Sequence, residues 1–279
     1  MNSKVAVITG SSSGIGLRTT VEMARAGYHV VATMRDLARR SYLDEALPAE
    51  LKDKVDVRRL DVTEFESIPG VVNAIVRDHG RIDVLLNNAG FAVGGFAEDV
   101  KLEELRKQLE TNFFGHVAMT KAVLPVMRAQ RSGHVIMLSS ILGVMGQPVV
   151  SSYCASKFAL EGWTEATRIE MGPLGVKLVL VEPGAFKTDI WTRNVLVSQG
   201  ALSPDSPNKE RSRKFTEGVK KTQMGDAAEV ARLIVRIAQN PNPSLRYRIG
   251  RDAALGYWMR RILPWNTWEK MIAKRSSIH

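Results

Sequence analysis

A tyrosine and a lysine four residues apart are the pair of side chains in this sequence best suited to proton transfer. Tyr153 and Lys157 lie in the run SSYCASKFALEGW, and Ser140 precedes the tyrosine by thirteen residues. Positions i and i+4 of a helix share a face, so the lysine ammonium can lie beside the tyrosine hydroxyl. A free phenol titrates near pH ~10, and a fixed nearby cation lowers its pKa by favouring the phenolate. The spacing therefore predicts general acid/base chemistry near neutral pH, although such pairs also occur by chance on helices.

A glycine-rich segment near the N-terminus predicts a binding site for a pyrophosphate. Residues 5–9 read as a buried strand, and GSSSGIG and a helical pattern follow them. Gly10 would permit a tight turn, Gly14 would let the backbone approach the phosphates, and Gly16 would let the helix pack closely on the sheet. Backbone N–H groups at the start of the helix would then face the anion. The spacing G-x-x-x-G-x-G departs from the common G-x-G-x-x-G fingerprint, so this loop alone is weak evidence.

Several motifs occur together in one order along the chain. The sequence resembles the short-chain dehydrogenase/reductase family in TGSSSGIG at 9–16, NNAG at 87–90, Asn112, Ser140, YCASK at 153–157 and PG at 183–184. The resemblance covers residues 4–190 and continues more loosely to 249. Within the family the chain is most similar to the 17-beta-hydroxysteroid and retinol dehydrogenase branch, through GSSSGIGL, ATMRDL and YCASKFALEGW. These stretches give more information about the cofactor and the catalytic residues than about the substrate.

The resemblance implies hydride transfer between a nicotinamide and a carbonyl or alcohol, with Tyr153 as the general acid/base. Lys157 would also bind the nicotinamide ribose, and Ser140 would hydrogen-bond the substrate oxygen. Ser139 competes with Ser140, but consecutive strand residues face opposite ways, and register with the family motif selects Ser140. Asn112 matches the family residue that completes a proton relay through water. Its alternative role is to satisfy local backbone groups inside a helix.

The end of the second predicted strand favours NADP(H) over NAD(H). An acid there would bind the ribose hydroxyls of NAD and repel a 2′-phosphate. Met34 occupies that position and Arg35 follows it, so a phosphate would gain a charge-assisted partner. Arg35 could instead be a solvated residue at the start of a helix, and the adjacent Asp36 leaves that alternative open.

Further cofactor contacts come from the resemblance. They are Ser11, Ser13, Ile15, Asp61, Val62, Asn88, Ala89, Gly90, Pro183, Gly184 and Thr188. Asp61 would contact the adenine, although the end of a strand also suits a structural N-cap. The family pattern has an Arg or a similar residue before the PG motif, whereas this chain has Glu182.

The pattern of apolar residues predicts the fold. Buried parallel strands are predicted at 5–9, 29–33, 55–60, 83–87, 134–138, 176–181 and 244–249. Helices are predicted at 15–26, 36–46, 64–79, 102–130, 151–171 and 226–239. This alternation predicts a single Rossmann-type, doubly wound α/β domain over 1–250, with a seven-stranded parallel sheet and helices on both faces. A ligand of such a sheet lies beyond the carboxyl ends of the strands, where Gly10, Asn88, Ser140 and Pro183 fall.

Composition narrows the class of protein. A length of 279 residues suits one domain, and the single Cys154 predicts a reducing, cytoplasmic compartment and no metal cluster. The net charge of +10 arises in residues 209–221 and 246–279, so the dinucleotide-binding body is neutral and nucleic acid is disfavoured as a partner. No N-terminal signal and no membrane-spanning apolar run is expected.

Two late regions bear on the substrate and on partners. Residues 189–223 are polar and Pro/Ser-rich, and by resemblance they predict a mobile substrate lid. The candidate pocket walls are Phe91, Val93, Leu142, Val144, Met145, Val149 and Trp191, of which about half would be ordinary core. Their apolarity favours a hydrophobic carbonyl or alcohol. By resemblance, the helices at 102–130 and 151–171 would build a homodimer or homotetramer.

Residues 251–279 form a basic, amphipathic tail. Leu255, Trp258, Met259 and Ile262 share one helical face, Trp265 and Trp268 follow Pro264, and Lys and Arg residues lie between them. Tryptophan with cations is the composition of a helix at a membrane surface. The alternative is a flap that packs on the substrate pocket or on a neighbouring subunit.

Two other functions compete with the oxidoreductase. A catalytically silent NADP(H)-binding regulator would have no need of an acid beside the nicotinamide. A sugar-nucleotide epimerase or dehydratase on the same fold would need a larger C-terminal substrate region than this chain supplies.

Overall fold

Seven strands form one sheet in the computed structural model of the chain, which describes residues 3–187, 195–220 and 224–276. The strands of these ranges are β1 (Val5–Thr9), β2 (His29–Met34), β3 (Val55–Arg59), β4 (Val84–Asn87), β5 (Ala92–Gly94), β6 (Gly133–Leu138), β7 (Val176–Pro183), β8 (Phe186–Lys187), β9 (Val195–Val197), β10 (Gly225–Asp226) and β11 (Arg246–Ile249). The α-helices are α1 (Gly14–Arg25), α2 (Arg40–Ala46), α3 (Ile68–His79), α4 (Leu102–Leu109), α5 (Gly115–Gln130), α6 (Ser151–Met171), α7 (Lys209–Lys220), α8 (Ala227–Gln239), α9 (Arg251–Ile262) and α10 (Trp265–Arg275).

The seven-stranded sheet has the order β11-β7-β6-β4-β1-β2-β3, and every neighbouring pair is parallel. Strands of such a sheet are covered on both faces, so they are apolar along their length. All five residues of β1 are buried, for example. The predicted doubly wound α/β domain with seven parallel strands is confirmed.

Helices cover the two faces of the sheet with separate apolar layers. On one face α3, α5 and α6 supply Val72, Ile75, Met119, Val123 and Leu160. The other face packs against α1 and α8, through Val21, Met23, Val230 and Ile234. Each fully buried side chain of this kind stabilises the fold by about 1.5–3 kcal/mol. The order of the strands changes direction between β1 and β4, so the connections that follow these two strands lead to opposite sides. A crevice therefore opens at the carboxyl ends of β1 and β4.

Three predicted helices differ in detail from the observed ones. The helix predicted over 102–130 is α4, a π-helical turn at Glu110–Phe114, and α5. The helix predicted from residue 64 begins at Ile68, because Pro69 lies in its first turn, where a missing N–H does no harm. The helix predicted from residue 36 begins with a 3₁₀ turn at Leu37–Arg39, which the side chain of Asp36 caps.

The two late regions contain regular structure. Within the predicted lid, β9 pairs with β5, and α7 follows. Thr188 and Trp191 lie outside the described residues. In the tail, Ala253 of α9 is buried against Ile141, Leu142 and Tyr153, and Trp268 of α10 is also buried. Across the described residues, no helix combines the length and the apolarity needed to cross a membrane.

A methyl group at Gly16 should disrupt the junction between α1 and the turn before it. An added Cβ would lie 2.3 Å from the carbonyl oxygen of Gly10 and 2.4 Å from Nδ2 of Asn88. We expect Gly16→Ala to lower the free energy of unfolding by about 1–3 kcal/mol, measured by urea denaturation. Gly70→Ala is the matched control, because nothing lies within 4 Å of its Cβ position in α3. Equal effects of the two substitutions would contradict close packing at Gly16.

Candidate active site

A cleft of ≈ 870 Å³ lies at the carboxyl ends of the central strands. The predicted site residues that line it are Gly10, Ser13, Gly14, Ile15, Arg35, Asp61, Val62, Asn88, Ala89, Gly90, Phe91, Ser140, Tyr153, Lys157, Pro183 and Gly184. These residues come from segments that are far apart in sequence. The parallel topology therefore brings together most of the residues that motif and resemblance had indicated.

The turn between β1 and α1 forms one wall of the cleft. Gly10 has φ +70° and Gly14 has φ +56°, left-handed values that favour glycine. The side-chain amide of Asn88 donates to the carbonyl oxygens of Thr9 at 2.8 Å and Gly10 at 3.0 Å. The backbone N–H groups of Asn88 and Ala89 both donate to Oγ1 of Thr9. The NNAG segment thus holds the glycine turn in place.

Two residues predicted to touch the cofactor lie behind the cleft wall. The Ser11 hydroxyl donates to the Ile8 carbonyl at 3.1 Å, and its backbone N–H donates to the Thr33 carbonyl at 2.9 Å. Because both polar groups are used inside the sheet, Ser11 stabilises the turn instead of facing the cleft. Gly16 also faces inward, where it admits the backbone of Gly10.

Three predicted catalytic residues meet at the floor of the cleft. The Ser140 and Tyr153 side chains are hydrogen-bonded to each other, and Oγ of Ser140 also accepts from the Leu142 N–H at 3.1 Å. Lys157 is buried, its Nζ donates to the Leu138 carbonyl at 2.7 Å, and Nζ lies 5.6 Å from the centre of the Tyr153 ring. This contact of Ser140 with Tyr153 agrees with its selection over Ser139.

Burial controls the pKa of both ionisable groups at this floor. Desolvation raises the pKa of the Tyr153 phenol above its ordinary value, and the hydrogen bond with Ser140 offsets only part of that rise. Desolvation also lowers the pKa of Lys157 to about 8, while the charge of Glu161 opposes that shift. Burial thus shifts the pKa of the phenol in the direction opposite to the one that a neighbouring cation alone would produce. Tyr153 keeps its proton, and its OH can act as a hydrogen-bond and proton donor.

Asn112 lies in the π-helical turn and does not line the cleft. Its Oδ1 accepts from the Phe91 N–H at 3.1 Å, and its Nδ2 donates to the Phe91 carbonyl at 3.0 Å and to Oγ of Ser156 at 3.3 Å. Single-turn π-bulges often occur at functional sites. The side chain bonds to groups outside its own helix, and the role of Asn112 in a proton relay stays a prediction. It positions the segment that follows NNAG.

His116 is a buried residue that the motifs did not reveal. Its Nε2 lies 2.7 Å from the carbonyl oxygen of Ala89, so the neutral ring donates from Nε2. Desolvation, and then the charge of Lys157, lower the pKa of His116 to about 3, while the bond to Ala89 raises it. A buried neutral histidine therefore supports the NNAG segment from below.

The far end of the cleft carries two arginines. Arg35 is exposed, with Nε 3.9 Å from Oδ2 of Asp61. Oδ1 of Asp61 accepts from the N–H and hydroxyl of Thr63, so Asp61 caps a turn and also borders the cleft. Asp36 accepts from the Ala38 N–H at 3.0 Å, and this cap supports the 3₁₀ turn that places Arg39 at the cleft.

The cleft also has lining residues that sequence reasoning missed. They are Ser12, Arg39, Leu60, Thr63, Lys107, Glu110, Thr111, Leu138, Phe186 and Leu196, while Met34, Asp36 and Ser139, which the sequence had brought into question, also line it. Of these, Arg39 follows the capping residue Asp36 by three positions, and the run RDLARR was the signal that could have indicated it. The others depend on how distant segments meet, and no spacing in the sequence marks them. Within the described ranges, no three His, Cys, Asp or Glu side chains come together as metal ligands.

The predicted pocket walls fall into two groups. Phe91 borders the cleft, whereas Leu142, Val144 and Met145 pack around Tyr153 and are covered by α9. Val149 is buried and has φ +69°, a strained value for a β-branched residue. Among the described members of the predicted set, Phe91 therefore lines the cleft, while Leu142, Val144 and Met145 support Tyr153 from behind.

A buried group of charges connects α6 to the edge of the sheet. Nε of Arg246 lies 3.0 Å from Glu161 and 3.4 Å from Glu182, and Nε of Arg248 lies 2.7 Å from Glu182. Desolvation, and then the charge of Glu161, raise the pKa of Glu182 to about 7. The Arg248 guanidinium also stacks on the ring of Tyr257, with 3.4 Å to the ring centre. The residue before the PG motif is thus linked to both α6 and the tail.

The tail also contacts the PG loop directly. Oδ2 of Asp252, in the first turn of α9, accepts from the Ala185 N–H at 2.7 Å. A Cβ at Gly184 would lie 2.2 Å from Oδ1 of Asp252, so glycine is needed for this approach. The loop that borders the cleft is therefore held by a carboxylate from the tail.

The match between this chain and known proteins includes the motifs described above. The family model described as short chain dehydrogenase matches residues 4–196. The Bacillus subtilis protein described as uncharacterized oxidoreductase YusZ is 40% identical over 279 residues, covering 99% of this chain and 99% of that protein. The 3-ketodihydrosphingosine reductase of Bacteroides thetaiotaomicron is 38% identical and covers 90% of this chain and 89% of its own. Retinol dehydrogenase 8 of Bos taurus is 35% identical over 88% of this chain and 81% of its own.

A solved structure shares the whole architecture. The short-chain dehydrogenase from Streptomyces avermitilis superposes with a TM-score of 0.81 at 30% sequence identity, over 99% of this chain and 97% of that one. The similarity therefore includes the tail as well as the seven-stranded sheet.

The buried histidine should make stability depend on pH. The pKa of His116 falls from 6.5 to about 3 on folding, so protonation opposes the folded state. The contribution of neutral His116 to the free energy of unfolding is complete above pH ~6.5. It is lost at about 1.4 kcal/mol per pH unit as the pH falls below that value. We expect His116→Gln to lose less stability than the parent protein between pH 6.5 and 4.5, measured by urea denaturation at each pH. Equal pH slopes in the two proteins would show that His116 is not held neutral.

Proposed function

The chain belongs to the short chain dehydrogenase family and is an oxidoreductase, and from this premise we propose that it transfers hydride between NADP(H) and an apolar carbonyl or alcohol. The resemblance to this family, and within it to retinol and steroid dehydrogenases, is confirmed. One observation carries the proposal. The hydrogen-bonded hydroxyls of Ser140 and Tyr153 lie beside the buried ammonium of Lys157 at the floor of the cleft.

The residues of the cleft fit a dinucleotide. Gly10 and Gly14 leave the turn without side chains where a pyrophosphate would lie against the start of α1. Asp61 and Val62 would hold the adenine, while Asn88 to Gly90, Pro183 and Gly184 would border the nicotinamide. When bound, the nicotinamide supplies the carbon that gives or receives the hydride. A role for Thr188 near its carboxamide or phosphates remains part of the proposal, as does one for Ser13.

Tyr153 would supply the proton in carbonyl reduction. Its hydroxyl carries a proton and is hydrogen-bonded to Ser140, so it can donate to the substrate oxygen as negative charge develops there. The Ser140 hydroxyl would donate a second hydrogen bond to the same oxygen and orient it. The Lys157 ammonium, 5.6 Å from the tyrosine ring, would stabilise the phenolate that remains after the transfer. In alcohol oxidation the same groups would act in reverse.

The cation pair at the far end of the cleft supports NADP(H) over NAD(H). Arg35 and Arg39 both border the cleft, and a 2′-phosphate could bind between two guanidinium groups. Asp36, whose negative charge left open a solvated role for Arg35, uses Oδ1 to cap the 3₁₀ turn. Its carboxylate therefore supports the turn that carries Arg39.

The substrate that fits best has an extended apolar part. Phe91, Phe186 and Leu196 border the cleft, and the apolar cluster around Tyr153 includes Leu142. Two relatives are named for 3-ketodihydrosphingosine and retinol, which are both largely hydrocarbon molecules. We propose a ketone, aldehyde or alcohol of this apolar kind, with Trp191 as an additional wall of its pocket.

The outer surface of the helices at 102–130 and 151–171 supports an oligomer. Leu102, Phe114, Phe158 and Ile169 are large apolar side chains that are exposed there in the single chain. Burial of such residues is what a subunit interface provides. We propose a homodimer or homotetramer in the cytoplasm, with a further contact between the tail and a membrane surface.

The first test removes the phenolic hydroxyl. We expect Tyr153→Phe to lower turnover of apolar ketones by about 10²–10⁴-fold while NADPH binding is retained, because only the proton donor is lost. Absorbance at the nicotinamide band measures turnover, and fluorescence titration measures binding. Tyr28→Phe is the matched control, since the Tyr28 hydroxyl donates to the Ala238 carbonyl away from the cleft. Undiminished turnover in Tyr153→Phe would refute the mechanism, and tight NADPH binding without turnover by the parent protein would favour the silent regulator.

A second test addresses the choice of cofactor. We expect Arg35→Glu, and more strongly Arg35→Glu with Arg39→Glu, to reduce the preference for NADPH over NADH by about tenfold or more, because two charge-assisted contacts are replaced by repulsion. The preference is the ratio of kcat/KM for the two cofactors. Arg40→Glu is the control, because Arg40 pairs with Asp44 and does not border the cleft. An unchanged ratio in the double variant would exclude these arginines as the phosphate site.

A further inference from the structure

The last two helices expose an apolar stripe to solvent. Leu255, Trp258, Ile262 and Trp265 are between 56% and 74% exposed, and we call these four residues the outer tail face. The first three follow the spacing i, i+3, i+7, so they form one continuous side of α9. Four large apolar side chains in such an arrangement form a patch and not a scatter of single residues.

More cations than acids lie on the two helices that carry the outer tail face. Arg251, Arg260 and Arg261 belong to α9, and Lys270 and Lys274 belong to α10. The Arg260 guanidinium lies over the ring of Trp265, with 4.9 Å to its centre. The acidic residues of these helices are Asp252, whose carboxylate accepts from the Ala185 N–H, and Glu269, which is exposed. The two helices therefore carry a net positive charge beside their exposed apolar residues.

Folding does not require this face, because the opposite side of the tail makes the internal contacts. Ala253 packs against Leu142 and Tyr153, and Trp268 and Ile272 are buried. The outer tail face also lies on different elements from the exposed apolar residues of α4 to α6 that would form an oligomer. Among the described residues, the apolar surface on the tail is thus separate from the one proposed for the oligomer, and it lies on helices that carry Arg and Lys.

We propose that the outer tail face binds the surface of a bilayer that contains anionic lipids. Trp and aliphatic side chains of a helix lying in the interface insert at the headgroup level, and flanking cations pair with lipid phosphates. Aliphatic stems of Arg and Lys can cover apolar surface while their charges stay in water. The inference deepens the proposed membrane contact and does not depend on the proposed chemistry. The helix that would lie on the bilayer is also the one that covers the apolar wall beside Tyr153, where a hydrocarbon substrate would bind.

Vesicle flotation of the full chain tests this surface. The protein is mixed with vesicles of phosphatidylcholine alone or of phosphatidylcholine with phosphatidylglycerol, and the fraction that floats on a density gradient is measured. We expect flotation with the anionic vesicles, less with the neutral ones, and a decrease as salt is raised. Trp258→Ser with Ile262→Ser should reduce binding about tenfold or more, because the inserted apolar groups are lost. Lys270→Glu with Lys274→Glu should weaken binding to the anionic vesicles selectively.

The matched control is Leu202→Ser, in the segment after β9. Leu202 is 65% exposed and Leu255 is 62% exposed, so the two changes remove similar apolar surface from different places, and Leu202 is not among the residues proposed for the oligomer. Flotation that falls with Leu255→Ser and not with Leu202→Ser supports the proposal. Absence of flotation with either vesicle, or equal loss in both variants, would overturn it. Light scattering of the tail variants completes the test, since a change of oligomeric state without any lipid binding would assign the face to a second copy of the chain.

Discussion

Burial of the Lys157 ammonium is the constraint around which the site is arranged. A cation removed from water must find acceptors or lose its proton, and desolvation has already lowered its pKa to about 8. The Leu138 carbonyl accepts from it at the end of β6, and the carboxylate of Glu161 lies one helical turn further along α6. Glu161 is in turn paired with Arg246 on β11. The interactions that accompany this one buried charge therefore connect α6, β6 and β11.

This arrangement also explains the character of Tyr153. Nζ of the lysine donates to a backbone carbonyl and lies over the ring, 5.6 Å from its centre, while burial is the largest influence on the pKa of the phenol and raises it. Ser140, which starts a 3₁₀ turn and accepts from Leu142, is already hydrogen-bonded to that hydroxyl. The groups that a reacting oxygen would meet are thus fixed by the fold before any substrate arrives, which reduces the reorganisation needed during reaction.

The inner strands could be predicted because buried parallel strands are apolar along their length, whereas the edge strands β3 and β11 carry charged residues and are only partly buried. The residues at the floor of the cleft could be predicted because they lie in short, ordered motifs. The missed features depend on tertiary contacts. His116 matters only because Ala89 lies above it, and Asn112 bonds to Phe91, twenty-one positions earlier in the chain. Ser11 carries a motif position but turns its hydroxyl to Ile8. The pKa of Tyr153 could not be anticipated from spacing, since the sequence shows the neighbouring cation and not the depth of burial.

The hydrogen bond between Asp252 and Ala185 joins two parts of the molecule that are made at different times during synthesis. The ribosome makes the glycine turn, the NNAG segment and α6 before it makes α9. Until then the PG loop has no carboxylate to hold it, and the apolar cluster around Tyr153 has no cover. A nascent chain would therefore carry a folded sheet with an unfinished site, and it would be most exposed to proteases and chaperones at that stage.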